Sequence, residues 1–337
     1  MEPILFIPLL ISFFGALFVL PIWIRKAKNV GLKGKDMQKL SGEEVAEGGG
    51  VPVIFAFVIG VLAYVFIKTF YFNDSTNQIE IFALLIVVLI AGFVGLIDDI
   101  FGWRIGLTKK TKIFFMLFAS IPLIVINAGV SRVFIPFTGV VNLGLFYPLL
   151  LIPLGILATS VTFNILAGYN GLESSQGILL LSALSYVSWK TGNTWLSLIS
   201  LCFILCLLAF YIFNKYPATI FPGDSLTYSV GAMIGIMAIL GNMERIALFF
   251  FIPYIIEAGL KLRGGLKKQS FAKINSDGGL DVPYDKFYGL EHISIFLIKK
   301  IKNGGRVWEY EVVYLINAFQ ILIIVLGLLI FKDFIFI

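Results

Sequence analysis

Ten runs of apolar residues set what this chain can fold into. They lie near 3–24, 50–70, 80–97, 112–127, 145–163, 171–188, 194–213, 224–240, 244–262 and 311–331. Each is close to the roughly 20 residues that a helix needs to cross the hydrocarbon core of a bilayer. With 59% hydrophobic and 14% charged residues and a mean hydropathy of +0.96, 337 residues carry more apolar surface than a soluble domain could bury. Lipid offers no partner to backbone N–H and C=O groups, so spanning segments must be helices or closed barrels. The long apolar runs predict an all-α polytopic membrane protein of about ten transmembrane helices. No internal repeat, low-complexity tract or soluble domain interrupts them, and residues 1–337 read as a single integral-membrane domain.

Charge orients the bundle. Met1-Glu2-Pro3 has no basic residue before the first run, whereas Arg25, Lys26 and Lys28 follow it, which predicts a retained first helix with the N-terminus outside. Alternating from there places 21 of the 26 basic residues inside and 5 outside, with both termini outside. The net charge of +6 sits in juxtamembrane loops, where anionic lipid or phosphate ligands explain it and nucleic acid does not. Cys202 and Cys206 share one face of an apolar helix without further ligands, and read as packing residues.

Two segments depart from the helical pattern. Val133-Phe134-Ile135-Pro136-Phe137 followed by Gly139-Val140-Val141 predicts a short outside β-hairpin or extended loop. Leu290 to Ile301 mixes apolar residues with Lys299 and Lys300 and predicts an interfacial helix along the inner surface.

The inner ends of the runs carry the chemistry-bearing residues: Asp98, Asp99, Lys112, Asn164, Asn170 and Asp224. For any one of them, a solvated helix end is an adequate explanation, and Asp224 in Pro222-Gly223-Asp224-Ser225 also reads as an ordinary N-cap. The Asp98–Asp99 pair is harder to dismiss, because a carboxylate at a helix C-terminus opposes the backbone dipole at a cost of roughly 0.3–1 kcal/mol. Two adjacent carboxylates suit a cation, and oxygen ligands suit magnesium, which is commonly held by one or two protein groups plus substrate phosphates. One His in the chain argues against zinc. Asn170 offers both a donor and an acceptor, as reading a nucleobase edge requires; an Asn-Gly turn made for geometry alone is the alternative.

Together these residues form a pattern. Asp36-Met37-Gln38-Lys39, Gly95-Leu96-Ile97-Asp98-Asp99, Gly106-Leu107-Thr108 leading to Lys112, the stretch from Asn164 through Gly168-Tyr169-Asn170-Gly171-Leu172 to Glu173, and Phe221-Pro222-Gly223-Asp224-Ser225 occur in order across the chain. In order, spacing and membrane side the chain resembles the polyprenyl-phosphate N-acetylhexosamine-1-phosphate transferases, above all the eukaryotic and archaeal branch that makes dolichyl-pyrophosphate N-acetylglucosamine.

The resemblance implies transfer of N-acetylglucosamine 1-phosphate from a UDP-sugar to a polyprenyl or dolichyl phosphate, releasing UMP, the first step of lipid-linked oligosaccharide assembly. By position it implies Asn164 and Asp224 as magnesium ligands, manganese being an admissible substitute, and Lys112 as a phosphate contact. It implies Asn170 as the uracil reader and Asp98 and Asp99 as the catalytic acidic pair. Asp36, Lys39 and Glu47 fall where the first inner loop of relatives contributes to the site. The last inner loop departs from the pattern: it lacks the His-rich motif of muramyl-pentapeptide enzymes, holding only His292, and reads Lys267-Lys268-Gln269-Ser270 where eukaryotic relatives place arginines. Lys268 is the expected substitute there, and a muramyl donor is disfavoured. The expected setting is the cell membrane or endoplasmic reticulum, with the site on the cytoplasmic face, the bilayer as partner and a homodimer as an admissible assembly. The competing readings are a secondary transporter of an anionic solute, a transferase for another UDP-sugar and an inactive lipid-phosphate scaffold. Transporter sites usually lie at the bilayer midplane between repeats, whereas here the polar groups share one surface.

Overall fold

The computed structural model describes residues 2–135 and 139–335, with side chains for all of these except 103–105, 109, 134 and 135. The first half of the chain contains α1 (Phe6–Val30), β1 (Lys33–Lys35), β2 (Glu44–Ala46), α2 (Gly50–Phe70), α3 (Gln78–Ile105), α4 (Lys109–Ala119), α5 (Ile121–Val125), β3 (Arg132–Ile135), β4 (Gly139–Asn142) and α6 (Ile152–Phe163). The second half adds α7 (Leu172–Lys190), α8 (Thr194–Asn214), α9 (Gly223–Leu240), α10 (Glu244–Phe250), α11 (Ile252–Arg263), β5 (Lys273–Ile274), β6 (Leu280–Asp281), α12 (Leu290–Ile301), α13 (Glu309–Ile330) and α14 (Lys332–Ile335).

Helices dominate, and six of those among the described residues are long and apolar enough to cross a membrane: residues 3–30, 50–70, 78–102, 194–214, 223–240 and 309–330. The other four expected runs are helical but do not meet that length and hydropathy. Proline divides or opens three of them, at Pro122 in α5, Pro153 in α6 and Pro253 in α11. The fourth, α7, is diluted by Glu173, Gln176, several serines and Lys190. The outer faces of α1 and α13 expose Phe14, Phe18, Leu322 and Leu329 in bands that water would not tolerate, and the chain is an integral membrane protein.

The core is built around α9. It packs against α2, α3, α6, α7 and α8 and is buried along nearly its whole length. Small residues make that possible: a Cβ on Gly231 would press into the Ser160 backbone of α6, and one on Gly95 of α3 would overlap the backbone of Asp224 and Ser225. Close approach at glycine is the usual route to tight helix packing in lipid. Cys202 and Cys206 are buried free thiols on α8, as packing residues should be.

The expected hairpin is present. β3 and β4 pair antiparallel with Arg132 opposite Asn142 and Ile135 opposite Gly139; Pro136 and Phe137 of the predicted hairpin lie outside the described residues. The helix expected at Leu290–Ile301 is α12, which turns Glu291, His292, Ile295 and Ile298 inward and leaves Phe296, Leu297 and Ile301 exposed. Two small hairpins were not legible in the sequence, β1–β2 and β5–β6. Their strands are two or three residues long and lack an alternating apolar pattern.

Candidate active site

The site forms where one set of helix ends meets. Asp98 and Asp99 occupy the last turn of α3 before Gly102, whose φ of 63° and ψ of 171° break the helix. The chain then turns back into α4, with Thr108 at its N-cap accepting from the Thr111 N–H at 3.3 Å. That reversal carries Lys112 back over the acidic pair. Its ammonium donates to Asp98 Oδ2 at 2.5 Å and to Asp224 Oδ2 at 3.0 Å, bridging α3 and α9.

The two aspartates are held differently. Asp98 Oδ1 accepts from the Leu107 N–H at 2.6 Å, tying the turn to the helix. Asp99 accepts from the backbone N–H groups of Asp224 at 2.6 Å and Ser225 at 3.2 Å, so its carboxylate caps the first turn of α9. The unfavourable field at the end of α3 is thereby offset by the favourable one at the start of α9. Gly223, with φ of 69°, lies directly against the Asp99 carboxylate, where a side chain would not fit.

Asn164 closes α6 one step away. Its Oδ1 accepts from the Thr227 hydroxyl at 2.9 Å, and Thr227 lies one turn beyond Asp224 on α9. Glu47 approaches from the segment before α2, because the N–H groups of Gly49 and Gly50 donate to the carbonyls of Phe221 and Pro222, both at 3.0 Å. Burial and the negative charge of Asp224 push the Glu47 carboxyl above its usual range.

A second group surrounds Asn170. Its Nδ2 donates to Asp36 Oδ2 at 3.1 Å and its backbone N–H to Glu309 Oε1 at 2.6 Å. Lys39 pairs with Asp36 at 3.2 Å and lies over the Tyr216 ring. Burial opposes the Lys39 charge, but Asp36 and Glu43 outweigh it and raise its affinity for the proton. Asn170 also lines a pocket of about 290 Å³ with Tyr211, Lys215, Tyr216, Tyr310 and Tyr314. The backbone from Asn164 to Asn170 connects the two groups.

Lys268 stands apart from both. Its ammonium lies 4.7 Å from the centre of the Tyr284 ring and 5.8 Å from that of Tyr288, in the exposed part of the last loop. His292 is fully buried, with Nδ1 accepting from the Tyr288 N–H at 3.3 Å. Burial and the nearby Lys261 pull its imidazole down to about 4, so it is neutral near pH 7.

The sequence model of glycosyl transferase family 4 matches residues 81–242, a span that holds Asp98, Asp99, Lys112, Asn164, Asn170 and Asp224. A protein of Saccharolobus solfataricus, provisionally named UDP-N-acetylglucosamine–dolichyl-phosphate N-acetylglucosaminephosphotransferase, is 38% identical over 96% of this chain and 95% of its own length. The chain belongs to glycosyl transferase family 4.

Other members of the family are also similar to it. A Dictyostelium discoideum UDP-N-acetylglucosamine–dolichyl-phosphate N-acetylglucosaminephosphotransferase is 28% identical over 67% of this chain and 62% of its own length. A phospho-N-acetylmuramoyl-pentapeptide-transferase of Halalkalibacterium halodurans is 28% identical over 76% and 81%.

For a family 4 protein the electrostatics of the site are instructive. The Lys112 ammonium pairs with Asp98 and Asp224, while Asp99 accepts from the Asp224 N–H and Glu47 feels the Asp224 charge, so four carboxyl groups cluster about Asp224. Such a group repels a free phosphate and attracts a cation. Among the described residues no three His, Cys, Asp or Glu side chains are arranged to hold a metal by themselves. Asp224 and Asn164, the pair expected to hold magnesium, carry hard oxygen donors of the kind that ion takes together with water and phosphate oxygens.

Several participants carried no signal as site residues. Thr227 reads as an interior helix residue, and Glu309 as a first-turn acid on an apolar helix. Glu173 lay inside a motif without a role, and its Oε1 accepts the Gly168 N–H at 2.8 Å.

Proposed function

We propose that this family 4 transferase moves N-acetylglucosamine 1-phosphate from UDP-N-acetylglucosamine to a dolichyl or related polyprenyl phosphate, yielding the lipid pyrophosphate sugar and UMP. The observation that carries the reading is Lys112 suspended between Asp98 and Asp224 at helix ends, with Asn164 held to Thr227 of the same helix as Asp224 and its short loop running on to Asn170. The names of the relatives supply the donor and acceptor.

The acceptor is a phosphate monoester, whose second pKa of about 6 leaves it largely dianionic near neutrality. It attacks the sugar-linked phosphorus, a new P–O–P bridge forms, and the bond to the UMP phosphate breaks. Phosphoryl transfer needs positioning and charge neutralisation more than covalent chemistry. Lys112 supplies positive charge to the transferring phosphate, Asp98 orients the acceptor, and Asp99 fixes the start of α9 so that Asp224 faces the site. Asp224 and Asn164 would hold magnesium, with manganese as a substitute; when bound, the ion neutralises pyrophosphate charge. Asn170, Asp36 and Lys39 form the nucleotide side, Glu47 borders Asp224, and Lys268 on the last loop would add positive charge for the donor's pyrophosphate.

In the topology that goes with this reading, about ten helical segments cross the bilayer, the site faces the cytoplasm, both termini lie outside and α12 rests along the inner surface. The protein acts as a monomer or homodimer.

The decisive experiment offers the purified protein UDP-N-acetylglucosamine and dolichyl phosphate, with undecaprenyl phosphate and other UDP-sugars in parallel, and measures UMP. Release that requires a lipid phosphate, ceases with a chelator and returns with magnesium is expected. UMP formation indifferent to the lipid, or uptake of labelled donor into sealed vesicles without UMP, would refute it. A muramyl donor is opposed by His292, which is buried against Tyr288 instead of presented to a ligand.

A further inference from the structure

We propose that Glu309, at the first turn of α13, is a positioning residue that sets the nucleotide affinity of the site by fixing Asn170. The inference rests on the reading of Asn170 as the group that recognises the donor's nucleobase.

The loop that carries Asn170 is tied within itself by the Leu172 N–H, which donates to the Tyr169 carbonyl at 3.0 Å. Gly168 and Gly171 flank it with φ of 99° and 85°, conformations that break any regular hydrogen-bond ladder. Two further N–H groups are taken by carboxylates from two helices: Gly168 N–H by Glu173 Oε1 at 2.8 Å and Asn170 N–H by Glu309 Oε1 at 2.6 Å. The Asn170 amide is then aimed by Asp36 Oδ2 at 3.1 Å.

Glu309 is otherwise anomalous. It is only 3% exposed, and its second oxygen, Oε2, is buried with no hydrogen-bond partner. A carboxylate oxygen left so is unfavourable for stability. The N-terminus of α13 offsets part of that penalty, and the neighbouring cap requires no help from Glu309, because Glu311 already accepts the Trp308 N–H at 2.9 Å. What Glu309 does uniquely is reach across to the loop. The next residue, Tyr310, lines the same pocket as Asn170, so α13 both lines the pocket and holds the Asn170 backbone.

Two near-isosteric variants separate the hydrogen bond from the ionisable group. Glu309→Gln keeps the length and an acceptor oxygen but removes the ionisable carboxyl. Glu309→Asp keeps the carboxyl and withdraws the acceptor by about 1.5 Å, one carbon–carbon bond. In purified full-length protein, Glu309→Asp should raise the donor KM and the UMP inhibition constant tenfold or more. Its acceptor KM should stay within twofold of wild type and kcat at saturating donor within threefold, while Glu309→Gln restores the donor KM to within threefold. The inference is overturned if Glu309→Asp leaves UMP affinity within twofold, if Glu309→Gln loses as much as Glu309→Asp, or if donor and acceptor KM rise together. Asn170→Ala distinguishes the two levels of the argument. If it weakens UMP while Glu309→Asp does not, the positioning role alone is wrong; if it leaves UMP affinity unchanged, the base-reading role of Asn170 fails and the inference fails with it.

Discussion

Asp99 offers the sharpest test of how the site is built, because its carboxylate caps α9 from a different helix. Replacing it with alanine removes acceptors from the Asp224 N–H at 2.6 Å and the Ser225 N–H at 3.2 Å. A hydrogen bond to a charged group contributes about 1.5–3 kcal/mol net, and loss of a cap costs about 0.5–2 kcal/mol. One strong and one weak bond together suggest about 2–4 kcal/mol for Asp99→Ala. Asp99→Asn keeps one acceptor and loses the charge–dipole attraction, so about 1–2 kcal/mol is expected. At roughly 2 °C per kcal/mol in a chain larger than 150–250 residues, Asp99→Ala should unfold about 4–8 °C lower and Asp99→Asn about 2–4 °C lower. The assay is thermal unfolding in detergent, paired with turnover below the transition. Activity should follow stability, because Asp224 is displaced when the start of α9 loosens. An Asp99→Ala protein that melts with wild type yet turns over nothing would refute the capping argument and assign Asp99 to the chemistry itself.

Gly95→Ala places a Cβ into the backbone of Asp224 and Ser225, and since no flexible side chain can yield there, a loss of about 1–3 kcal/mol is expected, read as a lower melting temperature; an unchanged melting temperature would mean that α3 and α9 can separate freely. Lys112→Met leaves Asp98 and Asp224 facing each other without their shared cation, and should reduce kcat at least a hundredfold, about 2.7 kcal/mol, with less than a threefold change if Lys112 is only a structural bridge. Glu291 is fully buried beside Glu257 and Lys261, and burial with the Glu257 charge pushes its carboxyl up to about 8. A group that binds its proton more tightly when folded stabilises fully below its unfolded pKa and loses that contribution as pH rises towards 8. Melting of wild type should therefore fall relative to Glu291→Gln as pH rises from 6 to 8, by up to about 1.4 kcal/mol per pH unit; parallel profiles would show that Glu291 is charged in the folded protein.

The sequence alone determined that this is a helical membrane protein, because burial of long apolar runs is a local property of composition and length. It also indicated which residues to watch. Asp98, Asp99, Lys112 and Asp224 were visible as polar groups at helix ends, where apolar surroundings make any charge conspicuous. The β3–β4 hairpin and α12 were readable for the same reason, as local departures from the apolar pattern.

Only the tertiary structure decided what those groups do to one another. Asp99 lies 125 residues from the N–H it caps, Asn170 lies 139 from the carboxylate that holds its backbone, and Lys112 lies 112 from Asp224. No periodicity or propensity encodes a hydrogen bond across such distances. It exists because glycines at 95 and 223 let α3 and α9 touch, and because the reversal after Gly102 returns Lys112 to the same place. The adjacent carboxylates that look misplaced at the end of one helix are accounted for by the beginning of another.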